Sequence, residues 1–227
     1  MYKIVTVLTT LALGAEAQGG CDPATNCQLP NCRCFLDSAV PGGLNVSDVP
    51  QLVVLTMDYA LNEEYEPLYN QIFSVANPNG CEIRGTFFVQ EKGSNLGLVK
   101  RYADGGFEIG IGSVNGTVPT IERELISMFK TMNKTGLIYD AGCYTRQYDQ
   151  QLNYKWPFTY DFPPTDNLCT SGTTPTKSFQ VAVILTITTR PLVNQQDVWI
   201  VTANQLLEWV QTPTKKADLN TFAPFQC

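Results

Sequence analysis

The chain has 227 residues, of which 44% are hydrophobic, and carries a formal net charge of −6 at pH 7. This length suits one core, and the acidic balance without basic patches excludes nucleic acids and anionic membrane surfaces as expected partners. The chain has no histidine, which excludes Ser-His-Asp and Cys-His catalysis and removes the commonest transition-metal ligand. Acid–base chemistry is left to Asp, Glu, Tyr or Lys.

The first 17 residues have the pattern of a secretory signal peptide. Lys3 precedes a short apolar run over residues 4–15, and Ala-Glu-Ala at 15–17 fits a cleavage site. We therefore expect a signal peptide over 1–17 and a secreted, extracellular protein. No later segment is long and apolar enough to suggest a membrane span.

Residues 18–50 are rich in cysteine and proline and predict a disulfide-stapled N-terminal segment that wraps around the rest of the chain. Eight cysteines in an exported chain favour disulfides, and their irregular spacing is unlike a zinc motif. The pairing stays open at this stage. The cysteines expected to form disulfides are Cys21, Cys27, Cys32, Cys34, Cys81, Cys143, Cys169 and Cys227.

Three Asn-x-Ser/Thr sequons predict glycosylation at Asn45, Asn115 and Asn133. A glycan at Asn115 would lie between two glycines of the segment FEIGIGSVNG (107–116) and would hinder entry of a polymer there.

From residue 51 onward, segments with strand and helix patterns alternate. The first half predicts strands over 51–59, 83–90 and 107–113 and helices over 63–74 and 95–106. In the first of these helices, Leu68, Ile72 and Phe73 are expected to share one apolar face.

The second half continues the alternation less regularly. It predicts helices over 119–136 and 204–211, strands over 136–142, 179–188 and 197–203, and an aperiodic aromatic segment over 143–178. Such alternation predicts parallel βαβ units, hence an α/β sheet or barrel whose site lies at the carboxyl ends of the strands. This places Asp58, Glu91, Gly112 and Gly116 near one rim.

Several long stretches resemble the insect chitin deacetylases of the polysaccharide deacetylase (NodB homology) family. The stretches, in the family's order, are CQLPNCRCF, LVVLTMDYALN, NPNGCEIRGTFFV, YADGGFEIGIGSVNG and DVWIVTANQLLEWVQTPT, with YKWPFTYDF as a weaker match. The resemblance implies a polysaccharide deacetylase-like domain over 51–227. The region between 118 and 197 is shorter than in the family, so the implied fold is a distorted or incomplete (β/α) barrel.

The sequence departs from the family where its chemistry lies. By the resemblance, Asp58 occupies the position of the catalytic base, while Tyr59, Gly112 and Gly116 occupy the positions of the metal ligands. Phe107 stands where the family often has a histidine. Glycine offers no side-chain ligand and phenol is a poor substitute for a carboxylate, so we expect no bound zinc and no other cofactor.

These observations favour a catalytically inactive, chitin deacetylase-like protein that binds chitin or chito-oligosaccharide, in a cuticle or gut chitin matrix. The aromatic residues expected to contact sugar are Tyr144, Tyr148, Trp156 and Tyr160, although packing of the same aromatic segment onto the barrel is an equal alternative, with Trp156 buried.

Two other functions stay open. One is weak deacetylation by Asp58 with an oxygen-ligated ion such as calcium; the other is a structural or interaction role without sugar binding. Asp58 can equally be a strand-end residue that bonds a loop or caps the next helix.

Overall fold

The computed structural model describes residues 20–90, 92–111, 139–140, 155–162, 179–180 and 197–227. They form a mixed α/β structure. The strands are β1 (Gln51–Val54), β2 (Thr56–Tyr59), β3 (Thr86–Val89), β4 (Glu108–Ile111), β5 (Tyr139–Asp140), β6 (Phe158–Thr159), β7 (Phe179–Gln180) and β8 (Val198–Val201). The α-helices are α1 (Glu66–Ile72), α2 (Leu96–Asp104) and α3 (Ala203–Gln211), and 3-10 helices span Pro41–Gly43, Val46–Asp48, Lys216–Thr221 and Ala223–Phe225.

The predicted strand over 51–59 is confirmed, but it is divided at Leu55 and serves two sheets. Its first half, β1, pairs in parallel with β8, and its second half, β2, pairs in parallel with β3, which pairs with β4. The units β2–α1–β3 and β3–α2–β4 are therefore the parallel βαβ units expected from the sequence. A third sheet has β7 between β5 and β6.

The described strands form sheets of two, three and three strands, so this part of the chain shows an α/β fold with parallel sheets and no closed barrel. The predicted helix over 119–136 lies outside the described residues. The barrel and the domain boundaries stay predictions.

Alternation along the strands gives the sheet of β2, β3 and β4 two distinct faces. One face, with Met57, Phe87 and Ile109, packs with residues of α2 and of the loops beside it. The other face carries Thr56, Thr86 and Glu108 in one row and Asp58, Phe88 and Gly110 in the next row toward the carboxyl ends. We call this second surface the open-sheet face, although Tyr139 and residues of α3 pack against Phe88 there; it holds the residues of interest for function.

Helix α1 forms, but the apolar face predicted for it is wrong in two of three residues. Leu68 is 51% exposed and Ile72 is 38% exposed, whereas Phe73 is buried. The ring of Tyr69 lies edge-on to Phe87, with 5.1 Å between centroids. The buried face thus runs through Tyr69 and Phe73, four residues apart, because a tyrosine ring can be buried while its hydroxyl stays near water.

Helix α2 forms within the predicted range 95–106, from Leu96 to Asp104. The Asn95 side chain accepts hydrogen bonds from the backbone N–H groups of Gly97 and Leu98, which caps the helix. Gly106, with φ of +83°, turns the chain into β4. Phe107, at the position where the family often has histidine, instead joins an aromatic cluster, 4.8 Å from Phe73 and 4.9 Å from Tyr102 between ring centroids.

Among the described residues, six of the predicted cysteines form three disulfides: Cys21–Cys34, Cys27–Cys32 and Cys81–Cys227. The first two lie within the N-terminal segment, and the third joins residues 146 apart in sequence. Cys143 and Cys169 lie outside the described residues.

The N-terminal segment packs against β6, a strand that falls inside the region predicted to be aperiodic. The backbone N–H of Thr159 donates to the carbonyl oxygen of Arg33 at 3.0 Å, and the N–H of Arg33 donates to Oγ1 of Thr159 at 3.2 Å. The rings of Phe35 and Phe158 meet edge-to-face at 4.9 Å. These contacts fix the wrap predicted for residues 18–50 onto the rest of the molecule.

Among the described residues, none of the helices has the length and hydropathy needed to cross a bilayer. Asn45 is exposed, as glycosylation would require. Asn115, Asn133 and the predicted signal peptide over 1–17 lie outside the described residues.

Candidate functional site

Asp58 lies at the carboxyl end of β2, on the open-sheet face, in register with Phe88 and Gly110. Its residue surface is exposed, yet neighbouring protein atoms shield the carboxyl in part from water, and this desolvation raises its pKa above the ordinary value of 3.8. A carboxylate at a strand end with a raised pKa is suited to accept a proton. The predicted position of Asp58 on the rim is thus where the structure places it.

Tyr59 follows Asp58 and has an unusual backbone. Its φ of +91° is the only positive φ of a non-glycine among the described residues, and the residue is 67% exposed. Bulky side chains rarely adopt this conformation because the Cβ atom meets the backbone. The position that the resemblance assigns to a metal ligand is therefore both strained and open to solvent.

A close packing contact lies beside Asp58. A Cβ atom on Gly110 would lie 2.7 Å from Cδ1 of the Phe88 ring, so this ring occupies the space that a side chain at position 110 would fill. Position 110 therefore requires glycine, because any side chain there would collide with the Phe88 ring. The open-sheet face next to Asp58 is consequently apolar and filled by an aromatic ring.

The row of Thr56, Thr86 and Glu108 holds a polar network that was not predicted from the sequence. The Thr86 hydroxyl donates to the Glu108 carboxylate at 2.8 Å, and the same carboxylate accepts the backbone N–H of Asn204 at 2.9 Å. Oγ1 of Thr86 also accepts the N–H of Ala203 at 2.9 Å. Glu108 and Thr86 thus bind the N-terminus of α3, where a negative charge is favourable.

Tyr139 of β5 lies against this network. The residue is 8% exposed, and its hydroxyl has no hydrogen-bond partner among the described residues. Burial, and secondarily the nearby Glu108 carboxylate, raises the pKa of the Tyr139 phenol. The ring contacts Phe88 edge-on at 6.3 Å. The only sequence signal for this arrangement is the Thr202–Gln205 capping box that begins α3, which gives no hint of Glu108.

The described residues do not fit a catalytic zinc ion. Asp58 supplies one carboxylate and Tyr59 a phenol, and catalytic zinc takes about three protein ligands. Within the described ranges, the one group of three possible ligand side chains is Cys21, Cys27 and Cys34, and all three are held in disulfides. The predicted ligand positions Gly112 and Gly116 lie outside the described residues, as does Glu91.

The structure describes two of the aromatic residues predicted to contact sugar, Trp156 and Tyr160, and both pack against other aromatic rings. Trp156 is partly buried and packs against Trp209 at 6.1 Å between ring centroids. Tyr160 is 2% exposed and lies edge-on to Phe158, so its ring presents no open face. Tyr144 and Tyr148 lie outside the described residues. Trp156 and Tyr160 belong instead to the side of the molecule covered by the N-terminal segment.

No family model matches the chain. The protein named chitin deacetylase 1 of Bombyx mori is 36% identical over 133 residues, which cover 53% of this chain and 24% of that protein. The protein named chitin deacetylase 8 of Bombyx mori is 34% identical over 125 residues, covering 52% of this chain and 32% of that protein. The aligned part thus spans a quarter to a third of the length of these curated relatives. The similarity supports a chitin deacetylase-like family for about half of the chain, in agreement with the resemblance in its motifs.

Proposed function

We propose that this is a secreted, chitin deacetylase-like protein that binds chitin or chito-oligosaccharide without hydrolysing it. The observation that carries the proposal is the similarity of half the chain to two proteins named chitin deacetylase, combined with the non-ligand residues Tyr59, Gly112 and Gly116. The relationship supports a sugar ligand. The replaced residues argue against zinc-dependent hydrolysis.

Hydrolysis of an N-acetyl group needs an activated water and stabilisation of the charge that develops on the carbonyl oxygen. In the family that the motifs resemble, a bound zinc would supply this activation, whereas a lone carboxylate supplies only part of the rate enhancement. The carboxylate of Asp58 is the single one at this strand end among the described residues. Its chain neighbour is the exposed Tyr59, and its partner in the neighbouring strand is Phe88. Neither neighbour supplies a second anionic oxygen.

Elemental analysis of the purified, disulfide-intact protein after dialysis against zinc tests this part. We expect far less than one zinc per chain and no acetate release from chito-oligosaccharide. A restored variant, Tyr59→Asp/Gly112→His/Gly116→His, is the matched comparison, because it returns the three side chains that the resemblance assigns to zinc. One zinc per wild-type chain would overturn the claim of inactivity.

A second candidate function is weak deacetylation by Asp58 itself, with an oxygen-ligated ion such as calcium. The raised pKa of Asp58 at a strand end favours it, because a base is most effective when its pKa approaches the working pH. Acetate release by the wild-type protein that disappears in Asp58→Asn would establish this function in place of the first. Absence of acetate release from both proteins would exclude it.

The proposed site of action is an extracellular chitin matrix, such as cuticle or gut. Three disulfides support an oxidising compartment. Expression in insect cells followed by N-terminal sequencing tests secretion. We expect to recover the protein from the culture medium with its first residue near Gln18. Retention inside the cell with Met1 intact would contradict it.

A further inference from the structure

Two disulfides of the N-terminal segment, Cys21–Cys34 and Cys27–Cys32, lie side by side. The Sγ atoms of Cys21, Cys27 and Cys34 all lie within 4.8 Å of one another. Among the described residues, this is the one group of three or more cysteine or acidic side chains that come so close together. One sulfur of the second disulfide therefore lies beside both sulfurs of the first. We call these four cysteines the paired disulfides.

The cysteines of the paired disulfides differ in their access to solvent. Cys21, Cys27 and Cys34 are buried, whereas Cys32 is partly exposed. The Oγ1 hydroxyl of Thr159 in β6 donates to the Sγ atom of Cys32 at 3.3 Å, so this sulfur lies where the N-terminal segment meets the rest of the molecule. A thiol from solution must reach a sulfur atom in order to attack it. Cys32 is the cysteine where we expect that attack.

Attack at Cys32 would release a thiolate inside the segment. The thiolate of an external thiol forms a bond to the Sγ atom of Cys32, and the Cys27–Cys32 bond breaks. Cys27 leaves as a thiolate that keeps the electron pair of the broken bond. Because Cys27 is 2% exposed, its charge is poorly solvated and is not stable in that place.

The Cys27 thiolate has a second disulfide within reach. It bonds to Cys21 or Cys34, the Cys21–Cys34 bond breaks, and the other cysteine of that bond becomes the thiolate. This new thiolate attacks the mixed disulfide at Cys32 and expels the external thiolate to solvent. No net oxidation or reduction takes place, because two disulfides are present before and after. Attack on a sulfur held within 4.8 Å needs no encounter by diffusion, which favours the transfer.

We propose that the paired disulfides are a site of thiol–disulfide exchange, opened at Cys32 by a small thiol of the glutathione type and passed on by Cys27 to the Cys21–Cys34 bond. This inference does not depend on sugar binding. It assigns a distinct role to each cysteine of the Cys27–Cys32 bond. Cys32 receives the external thiol, and Cys27 transfers the exchange to the neighbouring disulfide.

Two single variants of the full chain test the transfer by Cys27. Cys32→Ser leaves a free Cys27 thiol beside the Cys21–Cys34 bond, whereas Cys27→Ser removes the same disulfide but leaves Cys32, which lies outside the group of three close sulfurs. Each variant is incubated in mildly alkaline buffer, alkylated and mapped by tandem mass spectrometry. In Cys32→Ser we expect disulfides from Cys27 to Cys21 or Cys34, at about ten times the level of new pairings in Cys27→Ser. An unchanged Cys21–Cys34 bond as the single disulfide of these three cysteines in Cys32→Ser would overturn the transfer.

Reduced glutathione added to the wild-type protein tests the first step. We expect glutathione on Cys32, and new disulfides of Cys27 that form in proportion to the glutathione concentration. The reference is Cys81–Cys227, which belongs to no close group of sulfurs in the described ranges and reports simple reduction.

The wild-type outcomes decide each part of the proposal. Glutathione on Cys27 instead of Cys32 would overturn the point of attack. Reduction of Cys27–Cys32 to two thiols with the Cys21–Cys34 bond intact and no new pairing would overturn the transfer. Near-ultraviolet circular dichroism checks the fold of both variants, and the wild-type measurement decides the matter if either variant does not fold.

Discussion

At the scale of single residues, Tyr59 and Asp58 are the two unusual positions at the end of β2. Tyr59 has a backbone conformation with positive φ that glycine adopts far more readily, and its side chain is exposed. The neighbouring carboxyl of Asp58 is partly withdrawn from water. Neither feature stabilises the fold in an obvious way, and strain of this kind persists where the surrounding structure imposes it.

The positive φ of Tyr59 predicts that a glycine at this position gives a more stable protein than an alanine. Tyr59→Gly removes the Cβ atom that the φ of +91° disfavours, whereas Tyr59→Ala keeps it. We expect the glycine variant to be more stable than the alanine variant by about 1 kcal/mol, the reverse of the order at ordinary φ. Urea unfolding of both variants measures the difference. An alanine variant equal to or more stable than the glycine variant would contradict the strain.

The raised pKa of Asp58 predicts how stability depends on pH. Because the folded state favours the neutral carboxyl, the unfolded state binds fewer protons, and this carboxyl lowers stability as the pH rises above 3.8. Asn mimics the neutral form, so Asp58→Asn is expected to raise the free energy of unfolding at pH 7. The gain should vanish below pH 3.8, where the carboxyl is protonated in both states.

Unfolding by urea at pH 7 and at pH 3.5 checks this prediction. Asp104→Asn is a suitable control, because Asp104 is an exposed carboxylate on α2 that pairs with Lys100 at 2.6 Å. A variant at Asp58 that is less stable than wild type at pH 7 would show that the ionised carboxyl is stabilised by its surroundings.

At the scale of elements, the contact that joins α3 to β3 and β4 is carried by polar groups. The Glu108 carboxylate accepts from both the Thr86 hydroxyl and the N–H of Asn204. Thr86 is fully buried, so these donors have no easy access to water. The N-terminus of α3 is thereby fixed to the first row of the open-sheet face.

This arrangement predicts that Glu108 contributes strongly to stability. Glu108→Ala leaves two donors without an acceptor, and we expect a loss of about 2–4 kcal/mol in the free energy of unfolding. Glu108→Gln keeps an acceptor oxygen and should lose less, about 1 kcal/mol. Urea unfolding measures both variants.

Glu82→Ala is the control for Glu108, because Glu82 forms an exposed ion pair with Arg84 at 2.7 Å. Such pairs contribute about 0–1 kcal/mol. If Glu108→Ala costs no more than Glu82→Ala, the polar network does not hold α3 in place.

Local signals in the sequence predicted the elements that depend on local chemistry. The helix predicted over 95–106 forms as α2, with Asn95 as its N-cap and Gly105 as its C-cap, and the apolar run over 51–59 forms strands. The break at Leu55 could not be predicted, because it reflects a change of partner from β8 to β3 rather than a local preference. The buried face of α1 was misjudged because tyrosine was not counted as a core residue.

The same distinction between local and long-range features applies to the candidate functional residues. Asp58 could be placed at a strand end from sequence because parallel strands bring their carboxyl ends together. The Glu108–Thr86 network could not, because it joins segments far apart in the chain. The disulfide pairing could not be predicted either, because spacing alone does not determine it.

At the scale of the whole molecule, the disulfides constrain loops of very different length. Cys81–Cys227 closes a loop with a separation of 146 residues, and Cys27–Cys32 one with a separation of 5. The chain-entropy argument assigns about 5 kcal/mol to the long loop and about 2 kcal/mol to the short one. We therefore expect Cys81→Ser/Cys227→Ser to lower the free energy of unfolding more than Cys27→Ser/Cys32→Ser.

Denaturant unfolding of the two double variants compares the disulfides directly. A larger loss for the short-range pair would show that the N-terminal segment contributes more to stability than the long closure does. The contacts of Arg33 and Phe35 with β6 would then be the first place to look for the reason.

For the whole molecule we propose a deacetylase-like scaffold that binds chitin or chito-oligosaccharide without cleaving it. The most direct test incubates the folded, disulfide-intact protein with colloidal chitin and measures both the sedimented protein and the acetate released, with soluble chito-oligosaccharide as competitor. We predict saturable binding that the competitor reverses, and no acetate above the protein-free control. Catalytic release of acetate, or the absence of competable binding, would contradict it.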